Sequence, residues 1–220
     1  GAGGGTHAGA SREGAVNPVV VGPSNPQSGN SATDNIPDYI LQELEGHWGK
    51  EDILDLYKEK IIVGDPTLRL QDSINRAEFI TLIVKMLGLE PVSDVGEFED
   101  VKLDDWFSTY VSTAKASGLV NGADGKFRPN DTITREEMCK ILMTVYDKFA
   151  NNEDEEEQVQ EKRQIFSDDS FISEWARDYV YRSVELGLMK GMDNNIFAPK
   201  ESALREQAFV VIRRLQKILK

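Results

Sequence analysis

Three arginines stand where they could take an acidic ligand. Arg76, Arg135 and Arg205 each lie eight residues after a large apolar residue, Leu68, Phe127 and Phe197. Each falls in the first turn of a helix read from the pattern that follows. A cation there opposes the helix dipole, whose N-terminus is already positive. Its recurrence at one register points to a task. A guanidinium beside free backbone amides is a good receptor for a carboxylate, and such a contact contributes about 1.5–3 kcal/mol when charge-assisted. The competing reading is that each arginine pairs with a nearby Glu or Asp and fixes a loop. Trp48, Trp106 and Trp175 are all the tryptophans of the chain. They can stack on sugar rings or fill a core, and the residues alone favour the core.

Catalysis finds little support. No carboxylate stands with a His, Ser or Lys at a telling spacing, and no phosphate loop or HExxH occurs. His7 and His47 are far apart and Cys139 is the only cysteine. Neither a disulfide within the chain nor a metal site is expected, and no cofactor. Cys139 lies on an apolar helical stripe and reads as a small buried hydrophobe. The net charge of −13 repels nucleic acid and anionic lipid at long range, so any anion must be held by local arginines. No apolar run is long enough to span a membrane.

These residues belong to a repeat. Sixteen residues after each tryptophan comes a glycine: Gly64, Gly122 and Gly191. The gap from glycine to the next large apolar residue varies from four to six, whereas the flanking gaps are constant. Rigid elements keep their length while loops drift. The glycines, with Gly125, suit turns, and Gly125 could also admit a ligand close to the backbone.

Each repeat reads as helix, loop, helix. The first helix carries Ile53, Val111 or Val180 and ends in a tight turn. Gly118 and Gly187 suit a left-handed cap there, and Lys60 replaces the glycine in repeat one. The second helix begins at the arginine. Thr134 with Glu137, and Asn75 with Glu78, form capping boxes. Leu204 cannot cap, so the third start is assigned to packing or to Ser202. Apolar stripes follow: Phe79, Ile80, Ile83, Val84 and Leu87; Met138, Leu142, Val145, Tyr146 and Phe149; Ala208, Val211, Ile212, Leu215 and Leu219.

The resulting division is a Gly/Pro/Ser/Asn-rich leader at 1–35, repeat one at 36–92, repeat two at 93–150, an acidic insert at 151–164 and repeat three at 165–220. The insert's run of acids lacks the alternation of a calcium loop and reads as solvated. With no starting Met and no signal peptide, the chain is expected to be a mature fragment whose remainder lies before Gly1. One helix pair cannot bury its stripe alone. Three can, either around a common core or as an open solenoid.

The segment FEDVKLDDWFSTYVSTAKASGLVNGADGKFRPNDTITREEM, from Phe98 to Met138, strongly resembles the S-layer homology repeat. That repeat runs F-x-D, Trp, G-[IL]-[IV]-x-G, D-G-x-F-x-P, then I-T-R-A-E. Phe166 to Ala208 is a second match and Ile40 to Phe79 a degenerate third. Repeat one offers Ile40 and Gln42 in place of Phe98 and Asp100, and repeat three has Leu204 and Gln207 in place of the motif's Thr and Glu.

The resemblance implies an all-α fold: a pseudo-threefold trimer of helix-loop-helix repeats around a central three-helix bundle, with grooves between lobes. It implies a non-catalytic, secreted anchor, the terminal part of a larger surface protein. Its partner would be a secondary cell wall polysaccharide linked to peptidoglycan, typically pyruvylated. The resemblance favours Arg76 and Arg135 for binding, with Arg205 in a weaker version of the motif; the full set of candidate binding residues adds Trp48, Trp106, Trp175, Asp100, Asp168, Glu78, Glu137, Gly122 and Gly125. The groove built on repeat two is the best candidate. A helical protein–protein interaction module of a surface assembly is the alternative.

Overall fold

A computed structural model describes residues 36–64, 67–93, 98–150 and 165–220. The leader and the acidic insert lie outside the described residues. Within them the protein is all-α. It has seven α-helices: α1 (Asp38–Glu43), α2 (Lys50–Lys58), α3 (Arg76–Leu87), α4 (Ser108–Ala116), α5 (Arg135–Phe149), α6 (Arg177–Glu185) and α7 (Arg205–Ile218). Extended pairing is limited to isolated bridges.

The long helices α3, α5 and α7 begin at the three arginines. Asn75 Oδ1 accepts from Glu78 N at 2.8 Å, and Glu78 Oε2 accepts from Asn75 N at 3.1 Å. Thr134 and Glu137 repeat the exchange at 3.3 and 2.9 Å. Both capping boxes stand as the sequence predicts. At α7 only half the box exists: Leu204 N donates to Gln207 Oε1 at 3.2 Å. Ser202 does not cap it, because its hydroxyl meets that of Thr132.

Carbonyls from a neighbouring repeat take up the next amides of each helix. Arg76 N and Ala77 N donate to Asp131 O and Pro129 O; Arg135 N and Glu136 N to Glu201 O and Pro199 O; Arg205 N and Glu206 N to Asp72 O and Leu70 O. Just before the helices, Ile74 N donates to Ala203 O, Ala203 N to Ile133 O, and Ile133 N to Ile74 O, at 2.9–3.1 Å. These three bonds close on themselves. Repeat three is thereby joined to repeat one, which an open solenoid would leave apart.

Helix pairing follows the same order. The short helix before each loop packs on the long helix of the repeat before it: α4 on α3, α6 on α5, and α2, which follows the extra helix α1 in repeat one, on α7. Among the long helices, close packing is confined to α3 with α7. The stripes meet in one apolar cluster in which Ile53, Val111, Val180, Phe79, Met138 and Phe209 are buried. Cys139 is buried there too, as its place on the stripe implies, and burial pushes its thiol up to about 12. The turn after α2 keeps its form without glycine: Lys60 takes φ 58°, beside 68° and 69° at Gly118 and Gly187. A left-handed lysine costs about 1–2 kcal/mol.

Candidate anion-binding clefts between the repeats

Each site is built outward from one acidic side chain. Asp168 accepts Phe197 N and Ala198 N, both at 2.8 Å. Asp100 accepts Phe127 N at 2.8 Å and Arg128 N at 2.7 Å. In repeat one the same work falls to Glu43, which accepts Leu68 N at 2.8 Å and the Thr67 hydroxyl at 2.9 Å. Sequence comparison of the repeats had offered Gln42 there. Glu43 sits one residue after Gln42 and is one methylene longer than Asp100 and Asp168, so the match appears when the register slides by one. Asp100 and Asp168 pin the residues after the apolar anchor, Arg128 and Ala198, in the left-handed region at φ 60° and 58°; in repeat one Arg69, at φ 54°, donates its amide instead to the Thr67 hydroxyl that Glu43 holds.

The pinned loop aims a carbonyl at the arginine of the preceding repeat. Arg76 Nε donates to Phe127 O at 2.9 Å, Arg135 Nε to Phe197 O at 2.8 Å, and Arg205 Nε to Leu68 O at 2.9 Å. Arg76 and Arg135 also lie over the rings of Phe127 and Phe197, at 5.2 and 4.8 Å from the centroids. Burial lowers the pKa of all three guanidinium groups, because it disfavours the charged form.

The three arginines then differ. Arg205, only 1% exposed, forms an ion pair with buried Glu78 at 2.9 Å. Arg69 approaches the same carboxylate at 3.6 Å. Arg76 has Glu137 at 3.7 Å, beyond hydrogen-bond distance. Arg135, 3% exposed, has no carboxylate in contact among the described residues. Two of its four remaining N–H groups go to Lys190 O at 2.8 Å and Gln207 Oε1 at 3.4 Å. Pairing with a nearby acid is therefore the rule for Arg205, loose for Arg76, and absent for Arg135.

Beside each arginine is a cleft assembled from all three repeats. The first, about 390 Å³, joins Arg76 of repeat one, the Gly118–Ala123 loop with Arg128, Glu137 and Lys140 of repeat two, and Trp175 of repeat three. The second, about 160 Å³, joins Arg135 of repeat two, Met189–Met192, Gln207 and Arg214 of repeat three, and Trp48 of repeat one. The third joins Arg205 of repeat three, Ile61, Ile62 and Glu78 of repeat one, and Trp106 of repeat two. It holds only about 20 Å³, the room of a single water. The cleft lined mostly by repeat two is the largest of the three, but the arginine of repeat two, Arg135, lines the second.

The tryptophans correct the preference for core. Trp48 is 60% exposed and Trp175 49%, each forming a cleft wall. Trp106 alone packs partly buried against the core. His47 stacks on Trp48 with ring centroids 5.4 Å apart, and Lys140 lies over Trp175 at 5.5 Å. Asp100 and Asp168 do not line these three clefts; their oxygens hold the loops that shape them. Gly122 lines the first cleft at φ +67°, where a Cβ would collide with the Phe98 ring. Gly125 stands outside it, in the turn whose carbonyl accepts Glu99 N. Lys140 and Lys190 escaped the repeat pattern because the other repeats carry Thr81 and Val210, and Val63 and Asn121, at their registers; Arg128 recurs only as Arg69 and Arg214 only as Lys85, never in all three repeats.

No group of His, Cys, Asp and Glu suited to a metal occurs among the described residues, and no helix there is long and apolar enough to cross a membrane. What the arrangement offers is two open clefts, one with the half-buried guanidinium of Arg76 and one with the buried guanidinium of Arg135, each with further cations and an exposed indole, in a chain of net charge −13.

The S-layer homology domain pattern matches residues 44–80, 97–139 and 165–209. The chain is 35% identical over 177 residues to an amylopullulanase of Thermoanaerobacterium thermosulfurigenes, covering 80% of this chain and 9% of that protein. It is 30% identical over 151 residues to a surface-layer 125 kDa protein of Lysinibacillus sphaericus, covering 67% and 12%. A cellulosome-anchoring protein of Acetivibrio thermocellus is 27% identical over 150 residues, covering 66% and 32%. The chain spans less than a third of the length of each of these relatives. With three matched segments that account for more than half of its residues, the chain belongs to the S-layer homology domain family.

Proposed function

We propose that this chain is a non-catalytic cell-surface anchoring module. It binds an anionic secondary cell wall polysaccharide without covalent attachment, and the group recognised is an acidic sugar of the pyruvylated kind. On this reading the chain lies outside the cell, as one part of a longer surface protein held on a bacterial envelope. Membership in the family supports surface anchoring, and relatives named for surface layers and for cellulosome anchoring point the same way.

One observation carries the choice of ligand. Arg135 is 3% exposed and donates only to neutral oxygens, beside an open cleft walled by Trp48. A buried cation with no contacting anion is costly. A carboxylate entering the cleft supplies the missing charge, while the indole offers a flat face to a pyranose ring. Two such clefts on one polymer would raise retention by avidity.

The test is sedimentation of the purified chain with wall sacculi and with sacculi stripped of their acid-labile polymer. Binding is expected to the first and not to the second. Arg135→Ala and Trp48→Ala are expected to weaken it with helical content unchanged. Equal retention on stripped walls would refute the reading, and a protein captured without sugar would favour an interaction module.

A further inference from the structure

One helix position distinguishes the three clefts. The third residue of each long helix, Glu78 in α3, Glu137 in α5 and Gln207 in α7, reaches back to the amide that precedes the helix. That contact fixes its head group, through the oxygen turned away from the arginine in the two glutamates and through the shared Oε1 in Gln207. The head group therefore faces the arginine that crosses from the preceding repeat, and the outcomes form a series. Glu78 meets Arg205 at 2.9 Å, Glu137 meets Arg76 at 3.7 Å, and Gln207 offers Arg135 only a neutral amide oxygen at 3.4 Å.

We propose that this third helical residue is the selector that decides how strongly each cleft takes an anionic sugar. The cleft of Arg135 binds most tightly, that of Arg76 more weakly, and that of Arg205 not at all. The proposal rests on the anion-binding reading above and deepens it.

In repeat one the protein's own carboxylate stands where the acid of a ligand would stand, and Ile61, Ile62, Leu82 and Trp106 close the space around it. In repeat two the Glu137 carboxylate partly offsets the charge of Arg76, Arg128 and Lys140. A ligand acid must share that cleft with a like charge. In repeat three Arg135, Lys190 and Arg214 face the cleft and no carboxylate lines it. An internal carboxylate that competes for a guanidinium removes about one charge-assisted contact from the ligand, which corresponds to roughly tenfold or more in affinity.

The probe is a methyl hexopyranoside carrying a pyruvate ketal, titrated into the full chain. The Nε–H signals of Arg76, Arg135 and Arg205 are followed by NMR. Arg135 is expected to shift at the lowest concentrations, Arg76 at higher ones, and Arg205 not to shift. Gln207→Glu should raise the Arg135 midpoint about tenfold, and Glu137→Gln should lower that of Arg76 by a similar factor. Both substitutions keep an oxygen for the preceding amide, so the folds should be preserved, and an unchanged melting temperature checks this. If either variant fails to fold, the other decides.

An Arg135 midpoint indifferent to Gln207→Glu, an Arg76 midpoint indifferent to Glu137→Gln, or an Arg205 signal moving with the others would overturn the selector. Each leaves the anchoring reading intact. If no arginine responds to the probe, the acidic-sugar reading falls, and the selector with it.

Discussion

Replacing Asp168 by alanine should cost more than most single changes in this protein. Its two oxygens accept Phe197 N and Ala198 N, each at 2.8 Å. Phe197 is fully buried and Ala198 is 8% exposed, so water does not readily replace the lost acceptor. Two hydrogen bonds to a charged acceptor, at about 1.5–3 kcal/mol each, give a loss of roughly 3–5 kcal/mol once partial relaxation is allowed. Against a total stability of about 5–15 kcal/mol, that is a large fraction. Ala198 also sits at φ 58°, a conformation alanine leaves readily when its amide is released. The same loop holds Phe197 O against Arg135 Nε at 2.8 Å, so any folded Asp168→Ala should bind walls poorly. Asp100→Ala should cost less, because Arg128, whose amide it holds, is exposed. Glu43→Ala should cost least, because Glu43 holds one amide and an exposed hydroxyl. Urea unfolding of the three variants supplies the comparison. A loss below about 1 kcal/mol for Asp168→Ala, well under the range for such bonds, or a reversed order, would refute the view that these acids hold the loops.

Glu78→Ala should destabilise by about 3–5 kcal/mol, since it leaves the buried Arg205 guanidinium without its anion. Replacing both partners with apolar residues should recover most of that loss, and denaturant titration of the single and double variants measures it. Cys139 should resist thiol alkylation in the native state, because the reactive thiolate is suppressed by burial. Its raised pKa also fixes a sign. The contribution to stability is complete below the free-thiol value of about 8.5 and is lost as pH rises toward about 12. The stability difference between the chain and Cys139→Ala should therefore shrink from pH 8 to pH 11. A constant difference would contradict the assignment.

Much of the local structure is legible in single segments. The Asn75–Glu78 and Thr134–Glu137 boxes specify where α3 and α5 start, because a cap is a contact between residues three apart. The 3.6-residue stripes mark the buried faces for the same reason. Glu43 was hidden by a shift of one residue, and Lys60 shows that a left-handed turn survives loss of its glycine when the surrounding bonds hold it. Trp48 and Trp175 misled, since an indole has the same identity on a cleft wall as in a core.

The sequence by itself therefore determined an all-α chain of three repeats, the helix starts and the three arginines. The tertiary structure decided that each first helix packs on the preceding repeat, that repeat three closes on repeat one, and which guanidinium keeps its charge open. The physical reason is separation along the chain. Periodicity reports which face of a helix is apolar, but Arg76 meets Phe127 O across 51 residues and Arg205 meets Glu78 across 127. Contacts of that span are chosen by packing, and two equivalent carboxylates differ accordingly: Glu78 lies 2.9 Å from Arg205 in the closed cleft and Glu137 3.7 Å from Arg76 in an open one.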